Sequence, residues 1–253
     1  HDQSGTQAEQ AAYWASASTS DGGAARIRLC TEVGVYDCVA EYCARGIRIQ
    51  DSGSDATASI VSGCRVFRTL ESGIYLASGT YTGASGCKNF QITGCSVFES
   101  FNNGILLIGT RGCTVQGCSV TRSANAGIQA WHVLDQRIEG CSLFDCNRLA
   151  WNGVGNLGDA WGNISVDGAS SIGTGTYIAM LRNNSTLKCN QGRAAGVYGI
   201  SMFPNLEYAY PSGSNKVVHD NCASDGAIRF YNPWDIPVTE VQETADSGLG
   251  SSA

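Results

Sequence analysis

Charge, proline and long apolar runs are all scarce in this chain of 253 residues. Charged residues make up 15% of it and the net charge is −6 with no basic block, which argues against a nucleic-acid partner. No apolar run approaches the roughly 18 residues of a membrane span, so no membrane insertion is expected. No Cys-x-x-Cys occurs, and the Cys-x4-Cys pairs 38/43, 113/118 and 141/146 lack histidines at zinc spacing. The expectation is therefore no metal and no cofactor. There is no Gly-x-Ser-x-Gly, and the Gly-x-Gly-x-x-Gly match at Gly153–Gly158 has no helix-forming run after it, so it reads as a corner. Twelve cysteines in a chain of this length fall far below the density of a small disulfide scaffold, and a reducing or reduction-tolerant site of synthesis fits them. The start at His1 without Met fits a piece of something longer.

What is present is a repeat. An apolar residue, Gly-Cys, one residue and a second apolar residue recur around Cys64, Cys95, Cys118 and Cys141. The last three cysteines are 23 residues apart, and Cys64 lies 31 before Cys95. Seven residues after the second apolar position comes Gly and then Ile, as in Gly73-Ile74, Gly104-Ile105 and Gly127-Ile128. Val39 to Gly46-Ile47 is an earlier copy that lacks the Gly-Cys, and weaker copies follow through Val166, Leu187 and Val218. A fixed period of this length marks a solenoid. Within each copy, short runs alternate apolar and polar residues, the signature of strands with one buried face. Thirty-two glycines and four prolines suit many tight corners. The fold expected is all-β: a right-handed parallel β-helix of about eight coils, with Ile74, Ile105 and Ile128 in one inward column. The four repeat cysteines are expected to form a second inward column of small buried thiols, with disulfide bridging between stacked coils as the alternative.

Residues 1–25 are rich in helix formers and are expected to cap the first coil, with a frayed terminus as the alternative. Residues 26–232 form the β-helix. Residues 233–253, opened by Pro233 and Pro237, form an exit segment and a flexible polar tail. Insertions such as 147–161 become loops on the outer surface.

Three groups of residues could carry function. Glu41, Arg68, Glu99, Arg122 and Asp145 recur at one place of successive coils with alternating sign. That suits a stable surface ladder; alternatively, Glu99 and Asp145, two coils apart, act as an acid and base pair. Phe67, Phe98 and Phe144 form a stripe that serves as core, subunit interface or sugar contact. Trp131, His132, Asp135 and Arg137, followed by Trp151, Asp159 and Trp161, are the densest mix of aromatic and titratable groups. Trp rings offer rigid area for sugar stacking, though a loop packing its Trp on the wall is the simpler reading. The candidate catalytic residues are Glu99, Asp145, His132 and Asp159. The candidate substrate contacts are Trp131, Asp135, Arg137, Trp151, Trp161 and Tyr75.

The stretch Gly94-Cys95-Ser96-Val97-Phe98-Glu99-Ser100-Phe101-Asn102-Asn103-Gly104-Ile105 resembles the repeat of the pectate-lyase-like β-helix superfamily, with Cys in the ladder place where Asn is usual. The resemblance covers roughly residues 26–230. That superfamily includes pectin-degrading enzymes, polysaccharide lyases, uronan epimerases and phage tailspike depolymerases. No catalytic motif of the pectate-lyase or polygalacturonase type is present to carry over. The helical cap, Gly/Ser-rich stack and Pro-marked exit are similar to the central shaft of a phage tailspike. The resemblance implies a polysaccharide partner, hydrolase or lyase activity, a homotrimer, and a place on a virion tail or outside the cell. The alternative is a non-catalytic receptor-binding or structural β-helix.

Overall fold

The computed structural model describes residues 23–78, 87–146, 164–168, 178–187, 198–203, 215–224, 227–230, 238–243 and 251–252. All the regular elements among them are strands. The first coil is β1 (Gly23–Arg28), β2 (Gly34–Tyr36) and β3 (Val39–Glu41); the second is β4 (Arg45–Gln50), β5 (Ser59–Ser62) and β6 (Arg65–Thr69). Next come β7 (Ile74–Ala77), β8 (Phe90–Thr93) and β9 (Ser96–Ser100), then β10 (Ile105–Ile108), β11 (Thr114–Gln116) and β12 (Ser119–Thr121). The fifth coil is β13 (Ile128–Val133), β14 (Gln136–Glu139) and β15 (Ser142–Phe144). Beyond it lie β16 (Ile164–Gly168), β17 (Ile178–Arg182), β18 (Ser185–Leu187), β19 (Tyr198–Phe203), β20 (Asn215–Asp220) and β21 (Ala223–Ser224). The last are β22 (Ala227–Phe230), β23 (Val238–Glu243) and β24 (Ser251–Ser252).

Three sheets result. Sheet A holds β1, β4, β7, β10, β13, β16, β19, β22 and β24. Sheet B holds β2, β5, β8, β11, β14, β17, β20 and β23, and sheet C runs from β3 through β6, β9, β12, β15 and β18 to β21. Each strand pairs in parallel with its counterparts one coil before and one coil after, which makes the fold a parallel β-helix. Five coils, β1 to β15, each hold one strand of every sheet, and the eight or so coils expected are not all seen whole among the described residues. Beyond β15, stretches outside the described residues separate the strands. The expected N-terminal cap falls mostly on residues 1–22, outside the described residues; residues 23–25 open β1 instead of belonging to a cap. Strands of sheets B and A recur past residue 232, as β23 and β24.

The core sits between the three sheets. Ile47, Ile74, Ile105, Ile128, Ile164, Ile200 and Ile228 are in register in sheet A and all buried, as expected for the three central ones. Burying such a column contributes about 25 cal/mol for each Å² of apolar surface removed from water. Two glycines per coil make the stack possible, for different reasons. Gly94, Gly117 and Gly140 adopt φ of 59°, 59° and 61°, and a Cβ there would meet nothing within 4 Å, so only the backbone conformation demands glycine. Gly104 is a matter of space: a Cβ would lie 2.2 Å from Val120 Cγ1 and 2.6 Å from Gly127 O.

The positive-φ corner explains the repeats that lack Gly-Cys. Asp37 (φ 51°), Asn183 (φ 52°) and Asn221 (φ 48°) occupy the same corner, before Cys38, Asn184 and Cys222. Asn and Asp are the non-glycine residues that best tolerate this region. The inward column that follows reads Cys38, Cys64, Cys95, Cys118, Cys141, Asn184, Cys222. Each buried thiol donates towards a carbonyl two residues back and one in the preceding coil, as Cys118 Sγ does to Gln116 O at 3.5 Å and Ile92 O at 3.5 Å. Asn184 makes stronger bonds there, accepting from Cys141 N at 3.0 Å and donating to Ile138 O at 2.8 Å. The cysteines of the described residues are free, and all but Cys30, Cys38 and Cys43 are buried.

Candidate functional site

Strand β10, Ile105-Leu106-Leu107-Ile108, is apolar at every position. Ile105 and Leu107 fill the core, so Leu106 and Ile108 face outward, yet each is only 6% exposed. They are covered from the sides. Leu106 stacks in register with Tyr75 below and Gln129 above, and Ile108 with Ala77 below and Trp131 above. The result is a small apolar cluster on the outer face of sheet A, with Tyr75 and Trp131 packed against it.

The corner leading into sheet A supplies the wall. Backbone bonds stack Glu71 under Asn102 and Asn102 under Asn125, and Asn125 Nδ2 donates to Asn102 Oδ1 at 3.4 Å. The next position of the same corner carries Arg45, Ser72 and Asn103. Glu71, 4% exposed, forms an ion pair with Arg45. The guanidiniums of Arg45 and Arg48 lie 5.1 and 5.8 Å from the centre of the Tyr75 ring, within cation–π range. Floor and wall enclose a cavity of about 280 Å³, lined by both aromatics, the apolar pair, four amide side chains and the Arg45–Glu71 pair. A few polar groups converging on an aromatic and apolar floor are what a small-molecule or sugar site requires.

Among the described residues, the predicted ones fall in three places. Tyr75 and Trp131 belong to this groove, one at each end of its floor. His132 follows Trp131 with φ of 54°, and its ring centre lies 4.7 Å from that of Trp131, the planes tilted by 33°. Asp135 sits in the bend between β13 and β14, with Arg137 exposed on β14. Burial holds the Asp135 carboxyl above the usual range, against the pull of Arg111 and Arg137. Trp151, Asp159 and Trp161 lie outside the described residues.

Glu99 and Asp145 stand on the corner at the end of sheet C, with φ of 57° and 53°. Glu99 is clamped: Arg68 Nε approaches Oε2 at 3.1 Å and Arg122 Nη1 approaches Oε1 at 2.7 Å. In the first coil this column is occupied by Tyr42, whose hydroxyl accepts from Arg68, and not by Glu41 as expected. The buried residue of β3 is Ala40, while Val39 is 57% exposed, which shifts the register by one. The phenylalanine stripe faces outward on sheet C, in the column Phe67, Phe98, Thr121, Phe144 and Leu187. Phe144 is 40% and Leu187 48% exposed, so the stripe is not core. Among the described residues no group of three His, Cys, Asp or Glu could hold a metal ion.

Most of the groove was hidden in the alternation rule, which cannot say which side of a continuously apolar strand is out. A signal was nonetheless there. Reading down the coil period aligns Glu71, Asn102 and Asn125, a polar column beside an apolar strand.

Residues 15–120 match the family model described as a right handed beta helix region. No curated protein and no solved structure gave a match. The family match and the observed stack together support the β-helix superfamily, a group that includes polysaccharide-degrading enzymes, and the chain is a right-handed parallel β-helix.

Proposed function

We propose that this β-helix binds a polysaccharide along the outer face of sheet A, with the sugar rings against Tyr75 and Trp131. The observation that carries the reading is the groove itself: two aromatic rings on β7 and β13 flank the outward Leu106 and Ile108, under a wall of amides and one ion pair. Sugars present an apolar ring face and a rim of hydroxyls, and such a floor and wall match both. Binding ranks ahead of cleavage. The described lining offers one carboxylate, Glu71, held by Arg45, where acid–base hydrolysis needs two. The Glu99 clamp between Arg68 and Arg122 supports a structural role for that ladder. The exposed stripe on sheet C supports association of copies as a homotrimer, and a trimeric glycan-binding shaft suits a virion tail or an extracellular place.

A panel of capsular and lipopolysaccharide glycans tests this. Binding is read from tryptophan fluorescence, and cleavage from new reducing ends or unsaturated-uronate absorbance. Trp131→Ala and Tyr75→Ala should each weaken glycan binding roughly tenfold or more. Retained affinity in both variants, with folded protein by circular dichroism, overturns the groove. Product release that disappears in Glu99→Gln and Asp145→Asn would restore the catalytic pair.

A further inference from the structure

Asn103 does not behave like its neighbours in the stack. Its side chain is 2% exposed and lines the groove, yet its Oδ1 has no hydrogen-bond partner among the described residues. Its backbone carbonyl is already engaged, accepting from Gly73 N at 3.2 Å. A buried acceptor without a donor is costly and rare. The fold does not call for an amide here. Successive coils place Arg45, Ser72 and Ala126 at the same corner, and the adjoining column shows what a satisfied amide ladder looks like, with Asn125 bonded to Asn102. Beside this buried acceptor lies the outward apolar cluster of Ala77, Leu106 and Ile108, which a hydroxyl-covered sugar edge would leave poorly matched.

We infer that the groove selects a glycan carrying a 2-acetamido group. An acetamido N–H supplies the donor that Asn103 Oδ1 lacks once the side-chain amide turns its oxygen from the interior to the groove. Its methyl covers Leu106 and Ile108, and the buried amide of Gln129 stands beside them for its carbonyl. The sugar ring then lies between Tyr75 and Trp131. This inference rests on the groove reading proposed above and names its substrate class.

The test pairs N-acetylated oligosaccharides of gluco, galacto and manno configuration with counterparts bearing a 2-hydroxyl. At least one N-acetylated member should bind about tenfold or more tighter than its partner, because the analogue leaves a buried acceptor unmet. Saturation-transfer NMR on that member should show its acetyl methyl as the most strongly saturated group. Asn103→Leu should level the preference while leaving the melting temperature unchanged or higher, since it removes an unsatisfied polar atom. Equal affinity across all pairs, or a preference that survives Asn103→Leu, overturns the acetamido assignment and leaves the groove standing. Absence of binding to every glycan tested, here and in the wider panel, removes both.

Discussion

The two glycines of each coil answer different demands, and substitution separates them. Gly117→Ala should cost about 1–2 kcal/mol, the left-handed penalty alone, and Gly117→Asn less, since Asn183 and Asn221 already occupy that corner. Gly104→Ala should cost about 3 kcal/mol, because its Cβ meets Val120 and the Gly127 carbonyl and neither can retreat. Chemical denaturation of the three variants checks the order. The thiols make a second residue-level case. Burial pushes Cys64 and Cys113 up to about 11 and Cys87 up to about 12, so almost no thiolate exists near neutral pH. A thiol reagent at pH 8 should leave these three untouched until denaturant is added, with no reductant needed, whereas Cys141, held below the ordinary thiol value by its bond with Cys118, is shielded by burial alone. Asp135 gives a pH signature. Its folded carboxyl is raised by burial, so the native state holds the proton more tightly than the unfolded chain. Its contribution to stability is therefore lost as pH rises from the ordinary carboxylate value through the raised one. Asp135→Asn should flatten that part of the profile and raise the melting temperature at pH 7.

At the scale of the element, the Arg68–Glu99–Arg122 ladder and the sheet A groove make different predictions. Glu99→Gln leaves two guanidiniums facing each other without the charge between them, so the melting temperature should fall slightly, and less in high salt, with glycan affinity unchanged. Trp131→Ala should instead weaken glycan binding, and should lower the melting temperature by uncovering Leu106 and Ile108. The inward columns were legible in the sequence because Ile and Gly-Cys repeat as letters. The corner at Asp37, Asn183 and Asn221 was not, because the backbone demands a conformation, and three residue types can meet it. Alternation also misassigned β3, where a small Ala40 points in and a larger Val39 points out. Tyr75 and Trp131 are candidate contacts that the sequence names, and both line the groove. Their partners Arg45, Glu71 and Asn103 are adjacent only after the coil closes, and no local pattern marks them.

For the whole molecule, the exposed column ending in Phe144 and Leu187 should drive lateral assembly. Light scattering should give a trimer at micromolar concentration, and Phe144→Glu should shift it towards monomer. A monomeric wild type would leave the stripe without that role. The parallel register has a kinetic consequence as well. Strands pair only with the coil before and the coil after, so each finished coil is the template for the next and order spreads along the axis as a zipper closes. We predict that this accretion starts from a seed in the central coils β7 to β12, in which case amide exchange should be slowest there and quicken towards β23 and β24. A Gly104→Ala lesion falls in the middle of that seed. It should slow the first event in folding, with little change in how fast coils are added afterwards, so stopped-flow refolding should show a longer lag ahead of an unaltered growth phase.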